Sequence, residues 1–169
     1  QQAAVITLHA REQHDTLAAE DAYTKLRAQQ AELTWGKDGF MNRKGADAVN
    51  RDLPAEYGAK LADASGALSA GLANDYQRKL FAKRAALSQV EMIGQAVQHV
   101  AHQSDVYATD VLKGTIDTES RIAASGGDIN TSLVRISAAI DRHAQRFGLP
   151  EEQITAMKLG AADSLWTSK

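Results

Sequence analysis

The chain has 169 residues, of which 44% are hydrophobic and only 5% aromatic, and its formal net charge is −2. A charge this close to zero provides no global field for binding nucleic acid or an anionic membrane, so any such contact would be local. The absence of cysteine excludes disulfides, thiolate metal sites and a cysteine nucleophile, and the lack of an apolar run of about 18 residues predicts no transmembrane helix.

The first predicted element is a helix over residues 5–33, whose apolar side chains recur at helical spacing. Its apolar stripe is weak near the start, so we expect this helix to pack against a partner. Glycines then break the period over residues 34–45. Because Trp35, Phe40 and Met41 would be costly to leave in water, this segment is predicted to form an ordered turn.

The middle of the chain predicts one long helix over about residues 55–113. No proline interrupts it, strong helix formers fill most positions, and Asp52 is placed to cap its first turn. Gly114 is expected to end or kink this helix, which would extend for roughly 80 Å. Its apolar residues recur at steps of three, four or seven and include Tyr57, Leu61, Leu68, Leu72, Tyr76, Leu80, Leu87, Val90, Ile93, Val97, Val100 and Val111.

Small residues mark one side of the long helix at four-residue spacing. Ala62, Gly66 and Ala70 share this side. Small side chains at such spacing let another helix approach closely. We therefore expect a tight crossing with the first helix at these positions.

The C-terminal part of the chain predicts two shorter helices over residues 128–169. Glycines at 126 and 127 stop the preceding helix, and Asp128 is placed to cap the next one. That helix is predicted to end at Gly148, and Pro150 to begin another that continues toward Trp166.

These elements predict an all-α fold with no strand. We expect an elongated antiparallel helical hairpin or bundle over residues 1–125, built around the long helix, with the short helix pair of residues 128–169 packed on it. The chain starts without methionine and stops inside a helical pattern, so it is predicted to be a fragment of a larger protein.

Three potential metal ligands, His99, His102 and Asp105, are spaced so that they can share one face of the long helix. Histidines beside a helix seam commonly serve polar contacts, and no Glu-x-x-His pair supplies the second half of a di-metal site. We therefore predict no metal site and no cofactor, with these three residues as the only candidates.

Glu119-Ser120, followed by Ser125-Gly126, is faintly similar to the catalytic glutamate motif of lytic transglycosylases. The Gly-Leu-Met-Gln stretch of that motif and an aromatic sugar-binding set are both missing. We therefore predict no catalytic residue in this segment, while a hydrolase domain elsewhere in the full-length protein stays open.

Two small groups of basic residues could contact phosphate. Nearby acidic residues offset each group, so solvated faces are the preferred interpretation, and any binding of nucleic acid would be weak. The groups are Arg78, Lys79, Lys83 and Arg84, and Lys37, Arg43, Lys44 and Arg51.

Three stretches of the chain resemble large virion proteins of tailed bacteriophages and prophages. They are Phe40-Met41-Asn42-Arg43-Lys44-Gly45-Ala46-Asp47-Ala48, then Leu72-Ala73-Asn74-Asp75-Tyr76-Gln77-Arg78-Lys79-Leu80-Phe81, and then His143-Ala144-Gln145-Arg146-Phe147-Gly148-Leu149-Pro150 leading to Leu165-Trp166. The resemblance covers about residues 34–169. It implies a tail-associated or internal (ejection) structural protein, located in the virion after synthesis in the host bacterial cytoplasm.

The sequence thus predicts a non-enzymatic structural or assembly segment that serves genome ejection or tail assembly. Its expected partners are other copies of itself or other virion proteins, bound through helical packing. The alternatives are a bacterial helical-bundle sensor or secretion-associated interaction protein, and part of a peptidoglycan lytic enzyme. The residues predicted to mediate packing are Trp35, Phe40, Ala62, Gly66, Ala70, Phe81 and Phe147.

Overall fold

The computed structural model describes residues 2–168, without the side chains of Gln2, Ile6 and Ser168. Over this range the chain is all-α, as predicted, and contains no strand. None of the helices in this range combines the length and apolar character needed to cross a bilayer. The helices are α1 (Gln2–Trp35), α2 (Ala46–Val49), α3 (Leu53–Ala70), α4 (Asp75–Ala124), α5 (Ile129–Phe147) and α6 (Glu151–Ser168), with a 3₁₀ turn at Phe40–Asn42.

The chain divides into two compact units, Gln1–Ser104 and Asp105–Lys169. Helix α4 contributes residues to both. The second unit therefore begins inside α4, ahead of the predicted boundary near residue 128.

The single helix predicted over residues 55–113 is in fact two helices. Helix α3 ends at Ala70, and α4 begins at Asp75. Helix α4 then continues through Gly114, where the sequence predicts an end or a kink, and stops only at Ala124. The long helix of the fold is thus shifted toward the C-terminus relative to the prediction.

Reciprocal side-chain capping explains the break between α3 and α4. The Asn74 Oδ1 accepts a hydrogen bond from the Gln77 N–H at 2.9 Å, and the Gln77 Oε1 accepts one from the Ala73 N–H at 2.9 Å. These two bonds satisfy amides that have no partner at a helix start. A new helix therefore begins here even though the apolar period continues through Leu72 and Tyr76.

The first unit is a three-helix bundle of α1, α3 and residues 75–104 of α4. Helices α1 and α4 are parallel, since the Arg27–Glu91 pair, with N and O atoms 2.9 Å apart, lies further along both than the Glu20–Arg84 pair at 3.6 Å. Helix α3, which lies between them in the sequence, is antiparallel to α1: Leu68 near the end of α3 lies beside Ala18 of α1, whereas Tyr57 near its start contacts Phe40, which follows α1. The largest buried side chains of the bundle are Leu26, Phe40, Leu53, Tyr57, Leu61, Phe81 and Met92.

The glycine-containing turn after α1 is ordered, as predicted. The Phe40 ring is buried and meets the Tyr57 ring edge-on, with centroids 5.6 Å apart. The Tyr57 hydroxyl donates a hydrogen bond to the Asp38 carbonyl. A Cβ at Gly39 would lie 2.7 Å from the Thr34 carbonyl carbon and oxygen, so only glycine fits this close approach.

The second unit contains residues 105–124 of α4 together with α5 and α6. Asp128 caps α5, as predicted, by accepting hydrogen bonds from the N–H groups of Asn130 and Thr131. Gly148 ends α5 in the left-handed region at φ 62°, also as predicted. The buried residues that form the hydrophobic core cluster of this unit are Leu112, Ala123, Ile129, Ile136, Ala139, Ile140, Ala161 and Leu165.

Candidate interaction surface

The four aromatic residues predicted to mediate packing have different environments. Phe40 and Phe81 are buried in the core of the first unit. Phe147 packs against the His143 ring within the second unit, with centroids 4.5 Å apart. Trp35 is 61% exposed, so its predicted burial is wrong. The buried aromatic position beneath the turn is occupied by Phe40, and Trp35 is left on the surface as the last residue of α1.

The tight helix crossing predicted at Ala62, Gly66 and Ala70 is wrong, because all three residues are exposed. A Cβ at Gly66 would meet no atom within 4 Å in the described part of the chain. Helix α3 instead turns Leu68 toward α1, and at 3.6 residues per turn Gly66 points about 160° away from Leu68. The three small residues are left on a solvent-facing side of α3, where Ala62 and Gly66 border an open groove toward α4 of about 470 Å³.

Helix α4 carries a second apolar stripe on its solvent side. Five residues, Leu87, Val90, Gly94, Val97 and Ala101, follow one another at alternating steps of three and four, and all are exposed. We call these five residues the outer face of α4. Leu87 and Val90 are each 71% exposed and Val97 is 51% exposed. Alternating spacing of this kind is typical of the seam between two packed helices.

The outer face lies opposite the side of α4 that packs in the bundle. The inward side carries Phe81, Ala85, Met92 and Ala96, all of them buried. At 3.6 residues per turn, Gly94 points about 160° away from Met92. Helix α4 is therefore apolar on two sides, and its own unit covers only one of them.

The outer face is also almost free of charge. Between Ala85 and Ser104 the only acidic or basic residue, histidines aside, is Glu91. The Glu91 carboxylate lies 2.9 Å from the Arg27 guanidinium of α1, beside the outer face. Exposed apolar residues arranged in one stripe are a feature of interaction sites.

The metal-ligand candidates have other roles in the structure. The His99 Nε2 lies 2.7 Å from the carbonyl oxygen of Arg43 and donates a hydrogen bond to it, which occupies that ring nitrogen. Asp105 accepts a hydrogen bond from the Arg146 guanidinium at 3.3 Å. His102 is exposed. Among the described residues, no three His, Asp or Glu side chains are grouped so that they could hold a metal ion.

Glu119, the residue similar to a catalytic glutamate, is buried within the second unit. Its carboxylate accepts a hydrogen bond from the Ser132 hydroxyl at 2.9 Å and another from the Arg135 guanidinium at 3.3 Å. Both donors belong to α5, so Glu119 joins α4 to α5. A general acid needs a proton positioned toward substrate, whereas this carboxylate is directed at protein donors.

Arginines of both basic groups are paired with acidic residues. The Arg51 guanidinium lies 3.0 Å from the Asp47 carboxylate, and its hydrogen bond holds the pKa of Asp47 below the ordinary value. In the other group, Arg78 lies 2.7 Å from Asp75. These contacts reduce the charge that either group could present to phosphate.

Comparison of the chain with protein-family models, curated proteins and solved structures finds no match.

Proposed function

We propose that this chain is a non-enzymatic structural and assembly segment of a phage or prophage virion protein, acting in tail assembly or genome ejection. In this proposal the outer face of α4 binds a helix of a neighbouring chain in the particle. The observation that carries the proposal is the neutral, exposed apolar stripe from Leu87 to Ala101, which the chain's own bundle leaves uncovered. Burial of such a stripe stabilises an assembly through the hydrophobic effect.

The positions of the polar residues support a mechanical role. Glu119 and His99 hold helices or turns together through hydrogen bonds within their own units. Structural use of these groups is consistent with a segment that sets the spacing between neighbours. The resemblance of residues 34–169 to virion proteins supplies the particle context of the proposal.

Mass spectrometry of purified particles tests this function. Phage particles would be induced from the source strain, purified by density-gradient centrifugation and digested with trypsin. We expect peptides from this chain to occur in the particle fraction in constant ratio to the capsid and tail proteins. Peptides found in the lysate but missing from the particles would overturn the proposal.

A matched pair of variants tests whether the outer face is the surface used. Val90→Lys places a charge on the outer face, and Val134→Lys places one at a 69% exposed position on α5. We expect Val90→Lys to reduce incorporation into particles and Val134→Lys to leave it unchanged. Equal incorporation of both variants would show that another surface carries the assembly.

A further inference from the structure

We propose that the outer face of α4 binds the same face of a second copy of this chain, with the two helices antiparallel about a twofold axis at Gly94. This inference deepens the proposed function and rests on it for the claim that the outer face is an interface. A symmetric pair must be self-complementary, because each side of the axis meets the other side of its partner. The sizes and charges along α4 have this property.

Side-chain size is complementary about Gly94. Val97 follows Gly94 by three residues and Val90 precedes it by four, so in the antiparallel pair each valine lies within one residue, about 1.5 Å along the helix axis, of the other valine of the partner copy. Leu87 precedes Gly94 by seven residues and Ala101 follows it by seven, so each large leucine faces a small alanine. A parallel pair would set leucine against leucine at one end and alanine against alanine at the other, and the helices would diverge.

Gly94 itself is suited to the centre of such a crossing. It lies in the interior of α4, where glycine weakens a helix relative to alanine. A Cβ at Gly94 would meet no atom within 4 Å in the described part of the chain, so packing within the chain does not require glycine here. At a twofold axis, two glycines let the helix backbones approach closely.

The charges at the two ends of the outer face favour the antiparallel arrangement. Lys83 precedes Gly94 by eleven residues, and Asp105 follows it by eleven on the same helix. In the antiparallel pair each lysine therefore faces an aspartate of the partner, whereas a parallel pair would set like charges together. Asp105 also pairs with Arg146 at 3.3 Å, but both side chains are exposed. An exposed pair contributes little stability, so it does not prevent the Asp105 carboxylate from also pairing with Lys83 of the partner copy.

The area of the outer face indicates a weak dimer. The 23 residues from Lys83 to Asp105 are separated by 22 helical steps of 1.5 Å and extend for about 33 Å, and a helix is about 10 Å wide, so each copy contributes roughly 330 Å². The total of about 700 Å² is below the roughly 1,200 Å² at which standard stable interfaces begin, so this face alone supports only a weak, transient pair. We therefore expect association that depends on concentration in dilute solution and becomes complete where the chain is concentrated.

Disulfide capture tests the arrangement directly, because the chain contains no cysteine of its own. Chains carrying Val90→Cys and chains carrying Val97→Cys, distinguished by mass, would be mixed and oxidised under mild conditions. We expect the Val90→Cys to Val97→Cys disulfide to dominate, since an antiparallel pair brings these positions together. Dominance of the Val90→Cys disulfide with itself would indicate parallel helices and overturn the inference.

Sedimentation velocity of the full chain measures the association itself, at concentrations from about 5 to about 500 µM. We expect wild-type sedimentation to rise with concentration and Gly94→Leu to weaken association at least about tenfold, because bulk at the axis separates the helices. Since Gly94 faces open space, this variant is expected to keep the helical circular dichroism of the wild type. Gly94→Ala is the matched smaller change and is expected to weaken association less.

A charge exchange provides a second, independent variant set. Lys83→Glu alone is expected to weaken association, because glutamate would then face Asp105 of the partner copy. The double variant Lys83→Glu with Asp105→Lys is expected to restore it. Failure of the double variant to restore association would overturn the proposed register.

The outcomes separate this inference from the proposed function. A chain that stays monomeric at every concentration and forms neither disulfide overturns the dimer, while its recovery in purified particles would still support the structural role. A dimer with the expected disulfide that is missing from purified particles would leave the dimer standing and overturn the virion role.

Discussion

Truncation of Met92 to alanine tests whether the two sides of α4 have the different roles assigned to them. Met92 is fully buried in the core of the first unit, whereas Val90, two residues earlier, is 71% exposed. Met92→Ala removes three heavy atoms from a packed site, and such changes lower the free energy of unfolding by 2–5 kcal/mol, so we expect about 3 kcal/mol. Val90→Ala removes exposed atoms and is expected to change it by less than about 0.5 kcal/mol.

Urea denaturation followed by far-ultraviolet circular dichroism measures both variants, at a concentration low enough that the chain is monomeric. In thermal unfolding, Met92→Ala is expected to lower the midpoint of the first unit by roughly 10–20 °C. A loss of stability in Val90→Ala as large as that in Met92→Ala would refute the assignment, since it would mean that Val90 contributes to the core of the monomer.

Three further predictions concern caps and charges. Asp128→Ala removes the cap of α5 and is expected to lower the free energy of unfolding by about 1 kcal/mol in urea denaturation; no change would mean that the cap is not formed. Gly148→Ala places a side chain at φ 62° and is expected to destabilise the second unit by about 1 kcal/mol, a result that unchanged thermal unfolding would contradict. The Asp15 pKa is lowered from its ordinary value of 3.8, first by the hydrogen bond from Asn74 and then by that from Gln77. Asp15 therefore contributes stability above that value, and the contribution is lost as pH falls through the lowered pKa, so Asp15→Asn is expected to show a smaller loss of stability than wild type on acidification; parallel curves would contradict this.

The local rules of helix capping account for the parts of the fold that the sequence predicts. Capping residues act within one turn of their own position. Two aspartates begin helices and one glycine ends a helix at the predicted positions, namely Asp52, Asp128 and Gly148. The break at Asn74 obeys the same rules, with Gln77 three residues later. This break is not predicted because the apolar period continues across it. A continuous apolar period favours one helix more strongly than the four-residue capping pattern from Asn74 to Gln77 favours two.

Apolar periodicity alone also does not distinguish the outer face of α4 from the side that packs in the bundle. The sequence pattern counts Val90 and Val97 together with Ile93 and Val100, as if all faced one core. Periodicity records which positions are apolar but not which neighbour covers them. The available signal is that the apolar residues of α4 span more of its circumference than one stripe needs. Only the placement of α1 and α3 shows which side remains exposed.

Sequence spacing also fails to identify the hydrogen-bond partners of the candidate metal-ligating and catalytic residues. Spacing along a helix places His99, His102 and Asp105 near one another in sequence, but their partners come from distant segments, such as the Arg43 carbonyl for His99. The same applies to Glu119, whose donors belong to α5. Single-residue motifs cannot indicate such partners, because these depend on tertiary packing.

Thiol accessibility in the assembled state most directly tests the claim that the outer face of α4 is an interface. Val90→Cys would be labelled with a maleimide in the dilute isolated chain and in purified particles, with Val134→Cys on α5 as the exposed control. We expect Val90→Cys to react quickly in the isolated chain and very slowly in particles, while Val134→Cys reacts at similar rates in both. Equal labelling of Val90→Cys in the two states would show that the outer face stays in water after assembly and would contradict the account.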